Sequence, residues 1–278
     1  MASEVNNIIK EFQLKKNFGY LPDVISDEDY ILGGLQLPTE ILQPNGQWDK
    51  FVPEDEIQRT ERYETANCTA FGTLNALEFL FLRLFGEKKN WSERYVGIAA
   101  GTRPPGNSPQ KVIEVIRKDC GLLNDGILPM SKANTIEEYY SPDPLPWLIK
   151  ENGKKFIEDY KIGHEWLWSD YQQFNKAETL KNGLLYSPIG IAVFAWIKEG
   201  GLYIRPKGKE DNHWCVLYGY EEGKKWHIYD SYDSTIKYLD WNYEFFRAKR
   251  FYIEKIEKVY FWGWIKNFFK KYKINLFQ

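Results

Sequence analysis

The sequence contains few cysteines and few histidines. Its three cysteines are Cys68, Cys120 and Cys215, and an odd, low count cannot form a disulfide framework. Neither a Cys-x-x-Cys pair nor a cluster among the three histidines provides the ligands of a metal site. We therefore expect a protein without disulfides, metal or cofactor.

Long apolar runs and strong net charge are also absent. The chain begins without the basic start and apolar stretch of a secretory signal peptide. No run of about 18 apolar residues predicts a membrane-spanning helix. We expect folding in a reducing cytoplasm, which the protein would leave only by cell lysis or inside a particle. The formal net charge of −2 does not indicate binding to nucleic acid or to an anionic membrane.

Aromatic residues, by contrast, are abundant. The chain has 11 Trp, 19 Tyr and 17 Phe, and 43% of its residues are hydrophobic, which is typical of a packed globular protein. A length of 278 residues is sufficient for one large domain or two small lobes. Aromatic side chains also line clefts that bind extended peptides or sugars.

One of the cysteines begins the most apolar segment. From Cys68 to Leu84 the residues are apolar on nearly every side, which predicts a helix buried in the middle of a domain and ended by Gly86. Cys68 then lies in the first turn, where the macrodipole and the free N–H groups lower the pKa of a thiol. A second helix is predicted from the N-cap Ser108 to Gly121.

The second half of the chain has the pattern of strands. Further helices are predicted over residues 145–160 and 177–185, and the character changes after Pro188. The predicted strands are residues 189–196, 213–220, 225–230, 235–239 and 250–254. The polar loop at residues 198–209 is interpreted as a solvated hairpin tip, with a cleft wall or lid as the alternative. A helix-rich first half and a strand-rich second half predict an α+β fold.

A thiol, an imidazole and a carboxylate follow one another along the chain, at Cys68, His213 and Asp230. A histidine can hold a cysteine as thiolate, and a third group can orient the histidine. These three residues are therefore the candidate nucleophile, base and orienting group. The other two cysteines are predicted to be core residues. His164 is predicted to be structural or solvated, and strand periodicity turns His227 away from the Asp230 face.

With these residues in this order, the chain resembles the papain-like cysteine peptidases, and most closely their bacterial and phage-encoded members. His213 follows Cys68 by 145 residues, within the window of about 130–150 residues for papain-type enzymes. The resemblance covers most of the chain from Gly19 to about Tyr252. The matching segments are residues 19–23, 27–30, 52–58, 67–71, 101–108, 212–216, 219–220 and 229–232.

The resemblance implies a papain-like two-lobe fold. A helical N-terminal lobe and an antiparallel, β-barrel-like C-terminal lobe would enclose the active-site cleft. Residues 1–45 would form an arm packed on the catalytic domain, and residues 46–254 the catalytic domain. The arm would be cleaved off, block the cleft or stay over the surface as a fixed strap; we favour the strap, because the arm is much shorter than the usual inhibitory propeptide. Residues 255–278 form an aromatic and basic tail outside the resemblance. The tail is a membrane-surface helix, a docking peptide for another protein, or a terminal helix packed on the domain.

The resemblance also implies an oxyanion-hole glutamine, which we assign to Gln58. The family usually has this glutamine six residues before the nucleophile, where this chain has Arg62, whereas Gln58 lies ten residues before it. A turn that is longer by four residues, over residues 59–64, would absorb the difference. A second departure is Asp230, which stands where the family has asparagine; a carboxylate favours the imidazolium more strongly.

Three further residues are implied at the substrate groove. Gly106 and Asn107 would contact the substrate main chain, or would simply form a turn before the next helix. Trp214 would bind substrate or, like Tyr232, shield the hydrogen bond between His213 and Asp230 from water.

The activity implied is that of a cysteine endopeptidase, a hydrolase that cleaves protein or peptide substrates through a Cys-His-Asp triad and a thioester acyl-enzyme. One alternative is an inactive papain-like fold used for binding or structure, for example in a phage particle. The other is acyl transfer or amide hydrolysis on a non-protein substrate, because transglutaminase-like folds, arylamine acetyltransferases and cell-wall amidases share the order of the triad. The segment from Gly19 to Gln58 argues against this last group.

Overall fold

The computed structural model describes residues 17–23, 25, 29, 40–168, 175–233 and 236–257. The first part of the N-terminal arm, before residue 17, and the aromatic tail lie outside these residues. Within them the helices come mainly from the first half of the chain and the strands from the second, which confirms the predicted α+β class.

The central helix, α1 (Cys68–Phe85), begins and ends as the sequence predicts. It is buried without interruption from Cys68 to Phe81. Gly86 ends it in the left-handed conformation, with its N–H bonded to the carbonyl of Leu82. In the described part of the chain, α1 is the one helix long and apolar enough to span a membrane, and 78% of that window is buried inside the protein. Its apolar character therefore reflects its position in the core.

The remaining helices surround α1. The Ser108 side chain caps α3 by accepting a hydrogen bond from the Lys111 N–H, and Pro109 occupies its first turn, as predicted. A π-helical turn, Ile116–Cys120, continues α3 as far as Gly121. The helices after α1 are α2 (Glu93–Ala99), α3 (Pro109–Val115), α4 (Ile136–Tyr139), α5 (Trp147–Asp159) and α6 (Lys176–Leu184). Short 3-10 turns occur at Asp49–Phe51, Asp125–Ile127 and Met130–Lys132.

The second half of the chain forms one mainly antiparallel sheet. Within the described residues its strand order is β3-β10-β4-β7-β8-β9-β6-β5, so β7 lies in the interior. A first, small sheet pairs β1 with β2. The strands are β1 (Gly19–Tyr20), β2 (Gly106–Asn107), β3 (Tyr160–Trp166), β4 (Ile189–Val193), β5 (Ile197–Glu199), β6 (Leu202–Ile204), β7 (His213–Glu221), β8 (Lys225–Tyr229), β9 (Lys237–Asp240) and β10 (Ala248–Lys255).

Strand β3 was not predicted, because its sequence does not alternate in polarity. His164 and Glu165 are consecutive polar residues, and both are buried. His164 contacts Glu114, and Glu165 forms an ion pair with Arg250. These partners lie 50 and 85 residues away in sequence, so the local pattern contains no sign of them. The expectation that His164 is solvated was wrong, and the structural alternative holds.

We had expected the N-terminal arm to lie over the surface, but part of it is buried. Phe18 and Tyr20 are 3% and 2% exposed. Strand β1 of the arm pairs in parallel with β2, with Gly19 opposite Gly106 and Tyr20 opposite Asn107. The arm therefore enters the interior between the helices and the sheet.

Candidate active site

The turn before α1 presents Cys68 at the helix N-terminus. The side chain of Asn67, the residue before the helix, donates to the Glu93 carbonyl at 2.9 Å and to the Tyr139 hydroxyl at 2.8 Å, and does not cap the helix. The N–H groups of Ala70 and Phe71 donate to the Asn67 carbonyl, so the start of the helix leaves those of Cys68 and Thr69 for another acceptor. Ala66 has a φ of 51°, a left-handed conformation that is costly for a residue with a Cβ.

His213 begins β7 and is fully buried. Its Nε2 lies 2.5 Å from Oδ1 of Asp230, whereas its Nδ1 has no hydrogen-bond partner among the described residues. The first turns of α1 pack on the start of β7, because a Cβ on Gly72 would lie 3.2 Å from the Trp214 carbonyl oxygen. Cys68 packs beside Trp214, the residue that follows His213, and Nδ1 is the His213 ring nitrogen without a partner among the described residues.

Asp230 follows β8, and its side chain is fully buried beside a lysine. Its Oδ2 lies 3.0 Å from Nζ of Lys237, whose side chain is also fully buried. Burial would raise the pKa of Asp230, but His213 and Lys237 outweigh this and hold it below its usual value. The carboxylate is therefore ionised and contacts both His213 and Lys237. Sequence reasoning missed Lys237, since a lysine on a strand is ordinarily an exposed residue.

Gln58 is held beside Asp230 by Ser231, the residue that follows Asp230 in the chain. The Gln58 N–H donates to the Ser231 carbonyl at 2.7 Å, and the Ser231 hydroxyl lies 3.3 Å from Oε1 of Gln58. The longer turn that we expected between Gln58 and Cys68 is present, as a small hairpin with an antiparallel bridge between Arg59 and Glu64. The displaced glutamine is therefore compatible with a position in the site.

The main chain of the arm occupies the space between these groups. The Phe18 N–H donates to the Asn212 carbonyl at 2.9 Å, and Nε2 of Gln58 donates to the Phe18 carbonyl at 3.2 Å. The Phe18 ring packs edge-on against the His213 ring, with centroids 5.7 Å apart. A peptide unit of the chain itself therefore lies at the candidate catalytic residues.

Gly106 and Asn107 also contact the arm. A Cβ on Gly106 would lie 2.1 Å from the Gly19 carbonyl oxygen, so only glycine allows this approach. The Asn107 carbonyl accepts from the Leu21 N–H at 2.9 Å. The Asn107 side chain turns inward and donates to Thr102, so its contact with the arm is through the main chain.

Trp214 lies beneath the arm and away from the bond between His213 and Asp230. Its ring is fully buried and stacks parallel to the Tyr20 ring, with centroids 6.0 Å apart. Instead, Trp196 packs edge-on against His213 at 5.6 Å, and Tyr232 lies at 6.1 Å. The proposed shielding role fits Tyr232 and Trp196, whereas Trp214 forms the floor of the cleft under the arm.

The buried position of Cys68 suppresses its ionisation. Burial raises the pKa of its thiol well above the usual range, and the charges of Asp230 and Glu64 add to this, against hydrogen bonds from the main chain of Trp214 and Thr69. Cys68 packs with Tyr20 in one apolar cluster. With the arm in place, the sulfur is therefore a neutral thiol.

Cys120 and His227 lie apart from this site, whereas Cys215 is close enough that the charges of Asp230 and Cys68 add to burial in raising the pKa of its thiol. Cys120 and Cys215 are buried free thiols, as core residues would be. His227 is partly exposed and faces Asp49 and Glu221, which agrees with its predicted orientation away from Asp230.

Comparison with known proteins finds structural likeness only. No family model matches the chain, and no curated protein matches it. A digestive procathepsin L 3 from Tenebrio molitor larval midgut superimposes with a TM-score of 0.60 at 16% identity, over 87% of this chain and 78% of that one. The cysteine protease and lectin-like domains of Cwp84, a surface layer associated protein of Clostridium difficile, give 0.60 at 12% identity, over 92% and 60%.

A plant protease is similar over a shorter part of the chain. Bromelain from Ananas comosus, in complex with the E64 inhibitor, gives a TM-score of 0.51 at 16% identity, over 73% of this chain and 96% of that one. Cwp84 contains a cysteine protease domain and bromelain is a protease by name, and all three structures superimpose on the helices and sheet described above. The chain therefore has the α+β, two-lobe fold of the papain-like cysteine proteases.

Proposed function

We propose that the protein is a cysteine peptidase that its own N-terminal arm keeps latent. The observation that carries the proposal is the position of Phe18, whose carbonyl accepts from Gln58 and whose N–H donates to Asn212. The cleft thus accommodates an extended polypeptide main chain beside Cys68 and His213. A peptide substrate fits this arrangement better than a small non-protein amide, which would not use two main-chain contacts.

The reaction follows from the roles of these groups. The Cys68 thiolate attacks the carbonyl carbon of the scissile peptide, and the Gln58 side chain and the Cys68 N–H stabilise the resulting oxyanion. One such donor lowers the activation free energy by about 2.7–4 kcal/mol. The C–N bond then breaks, and the His213 imidazolium gives its proton to the leaving amine. Water, deprotonated by His213, hydrolyses the thioester, releases the acid and regenerates Cys68.

Latency follows from the same contacts. Phe18 uses the Gln58 donor that an oxyanion would need, and its ring packs against His213. Tyr20 packs on Cys68, whose burial raises the thiol pKa. A substrate can therefore bind only when residues 18–20 leave the cleft, and that departure also exposes the thiol to the N–H groups that favour its ionised form.

The test is peptide hydrolysis by the full-length chain, together with labelling by a peptidyl epoxide. We expect slow hydrolysis by the unmodified chain and a loss of at least about four orders of magnitude in the Cys68→Ala variant. Circular dichroism and thermal unfolding of the variant should match those of the unmodified chain.

Site mapping of the epoxide by mass spectrometry separates the alternatives. A peptidase should be labelled at Cys68 far faster than at Cys120 or Cys215. Equal labelling of all three would indicate a papain-like fold retained for binding, and selective labelling without peptide hydrolysis would favour a non-protein substrate.

A further inference from the structure

The candidate site contains a buried lysine to which the catalytic scheme above gives no role. Lys237 begins β9, and its side chain is fully buried. Burying an ammonium group is costly unless it is paired, so a lysine in this position needs a reason. Its Nζ lies 3.0 Å from Oδ2 of Asp230 and 2.6 Å from Oδ1 of Asp233.

The topology accounts for this meeting. Strands β8 and β9 pair with Ile228 opposite Lys237. Asp230 lies two residues beyond Ile228, and residues two apart on a strand share a face. The side chains of Asp230 and Lys237 therefore meet at the end of the hairpin, which also holds Gln58 through Ser231.

Each oxygen of Asp230 has a different partner. Oδ1 accepts from Nε2 of His213 at 2.5 Å, and Oδ2 faces Nζ of Lys237. Two partners on opposite oxygens fix the plane of a carboxylate, and that plane fixes the plane of the imidazole. Lys237 also lies over the Trp196 ring, 5.5 Å from its centroid, and that ring packs edge-on against His213.

The charges of the site also balance only when Lys237 is counted. In the reactive state a thiolate at Cys68 and an imidazolium at His213 cancel, which leaves the negative charge of Asp230 unopposed. In a fully buried position such a charge would favour the imidazolium excessively and oppose the thiolate. The ammonium of Lys237 restores neutrality, while Asp233 is partly exposed and contributes less.

We infer that Lys237 is a positioning residue for His213, which acts through Asp230 by fixing the carboxylate plane and cancelling its charge. The inference rests on the proposed function of the same site. It explains how an aspartate can stand where a neutral asparagine would suffice, because the pair of Asp230 and Lys237 has no net charge.

The direction in which removal of Lys237 shifts the neighbouring pKa values is therefore predictable. A positive charge favours the deprotonated form of every neighbouring acid, so its loss should raise the apparent pKa values of both the thiol and the imidazolium. A unit charge within about 10 Å, at an effective dielectric constant of about 20, corresponds to about one pKa unit. The other ionisable groups around Lys237, Asp230 and their neighbours are Asp233, His213, Tyr203, Cys68, Cys215, Glu64 and Arg59.

The experiment is the pH dependence of Cys68 alkylation by iodoacetamide in the full-length chain, with each cysteine quantified by mass spectrometry, alongside the pH profile of kcat/KM on a peptide. In Lys237→Met, both limbs of each profile should move to higher pH by about one unit. Lys237→Arg, which keeps the charge, should retain the original profile. Lys224→Met removes an exposed lysine, 74% accessible, from the adjacent turn and is the matched control.

A double variant tests the charge balance directly. Asp230→Asn combined with Lys237→Met replaces the ion pair by two neutral groups, and we expect it to be about tenfold more active than Lys237→Met alone, because close charged neighbours are strongly non-additive. Superimposable profiles for Lys237→Met and the unmodified chain, or purely additive losses, would overturn the inference. Alkylation needs no substrate, so a shifted alkylation profile without peptide hydrolysis would contradict the peptidase proposal and leave the role of Lys237 supported.

Discussion

Two buried histidines, His213 and His164, each lie beside a carboxylate and a lysine. In each, Nε2 meets the carboxylate, at 2.5 Å from Asp230 and 2.6 Å from Glu114. In each, a buried lysine lies close by. The two sites therefore share three kinds of side chain, and they differ in how these three are connected.

The difference is the position of the lysine. Nζ of Lys249 lies 3.1 Å from Nδ1 of His164 and occupies that nitrogen. Lys237 instead contacts the carboxylate, and Nδ1 of His213 has no partner in the part of the chain that the structure describes. A buried histidine can accept a proton from a reacting group only through an open ring nitrogen. The contact of Lys249 with His164 is therefore a structural clamp, whereas the contact of Lys237 with Asp230 leaves His213 able to act as a base.

Burial reinforces the clamp. Burial and, after it, the charge of Lys249 lower the pKa of His164 to about 4, against the opposing effect of Glu114. His164 is thus neutral at pH 7, so its Nε2–H donates to Glu114 and its Nδ1 accepts from Lys249. The contact joins α3 to β3 and β10, and so connects the helical and sheet parts of the fold.

Alanine substitution of each histidine should separate catalysis from stability. We expect His213→Ala to lower kcat/KM per folded molecule by about four orders of magnitude, and to lower the free energy of unfolding as well, because Asp230 loses a buried partner. His164→Ala should leave kcat/KM per folded molecule nearly unchanged. It should lower the free energy of unfolding by about 2–4 kcal/mol, since Glu114 and Lys249 lose their buried partner.

Peptide kinetics and urea unfolding of the two variants provide both measurements. His227→Ala is the control, because this partly exposed histidine belongs to neither site and should change neither quantity much. If His164→Ala abolished activity without loss of stability, the division of roles between the two histidines would be wrong.

The lysines should differ in their effect on the pH dependence of stability. Burial lowers the pKa of Lys249 to about 7, against the attraction of nearby carboxylates such as Asp23, whereas an unfolded lysine titrates near 10.4. Between these values the unfolded chain binds more protons, so the free energy of unfolding rises with pH. The rise is about 1.4 kcal/mol per pH unit.

In Lys249→Met this contribution should be absent. The stability of the unmodified chain minus that of the variant should therefore increase as the pH is raised from about 8 to 10, in urea unfolding at several pH values. Lys224→Met, which removes an exposed charge, should give a constant difference. A constant difference for Lys249→Met as well would mean that the lysine remains charged in the folded protein.

The sequence predicted one of these two sites and not the other, for a physical reason. Cys68, His213 and Asp230 are reactive residue types at an interpretable spacing, and an apolar run and a strand position place the first two. The contacts of His164 join residues 50 and 85 positions apart with no repeated spacing. Sequence periodicity reports which face of an element is buried, and it carries no information about which polar groups meet there.

The arm illustrates the same limit. The Gly and Pro content after Gly19 indicates an irregular, extended segment, and the short pairing with β2 agrees with this. The depth at which the arm lies depends on surfaces from both halves of the chain. Phe18 and Tyr20 fill a space that exists only after those halves have packed, so local pattern alone suggested a surface strap.

The arm also contacts both histidine sites. A substitution in the arm can therefore uncover the His213 site without changing a residue of either site. Gly19 has a φ of 114°, and a Cβ there would lie 2.4 Å from the carbonyl carbon and oxygen of Ala66. Gly19→Ala should therefore weaken the seating of the arm by at least about 1.4 kcal/mol and raise the peptidase activity of the full-length chain about tenfold. Cys68 alkylation should accelerate in parallel.

Gly201→Ala is the matched control for Gly19→Ala. Gly201 also has a positive φ, 90°, but has open space around it in an exposed hairpin. Gly201→Ala should therefore introduce similar backbone strain without affecting activity. Unchanged activity in Gly19→Ala, with normal folding, would contradict the latency proposal.

The smallest expected effect comes from the end of the arm that is anchored near His164. Gln110 accepts from Nζ of Lys249 at 2.6 Å and donates to Oδ1 of Asp29 at 2.7 Å, so it links the clamp to the arm. Gln110→Met keeps the volume of the side chain and removes both contacts. Because a hydrogen bond of this kind contributes about 1 kcal/mol, the arm should leave the cleft about threefold to fivefold more often, with a matching rise in peptide hydrolysis.

Lys111→Met, at the next and exposed position of α3, should have no such effect. Equal activity of both variants and the unmodified chain would mean that the arm is held by its contacts at His213 alone, and that the two histidine sites function independently.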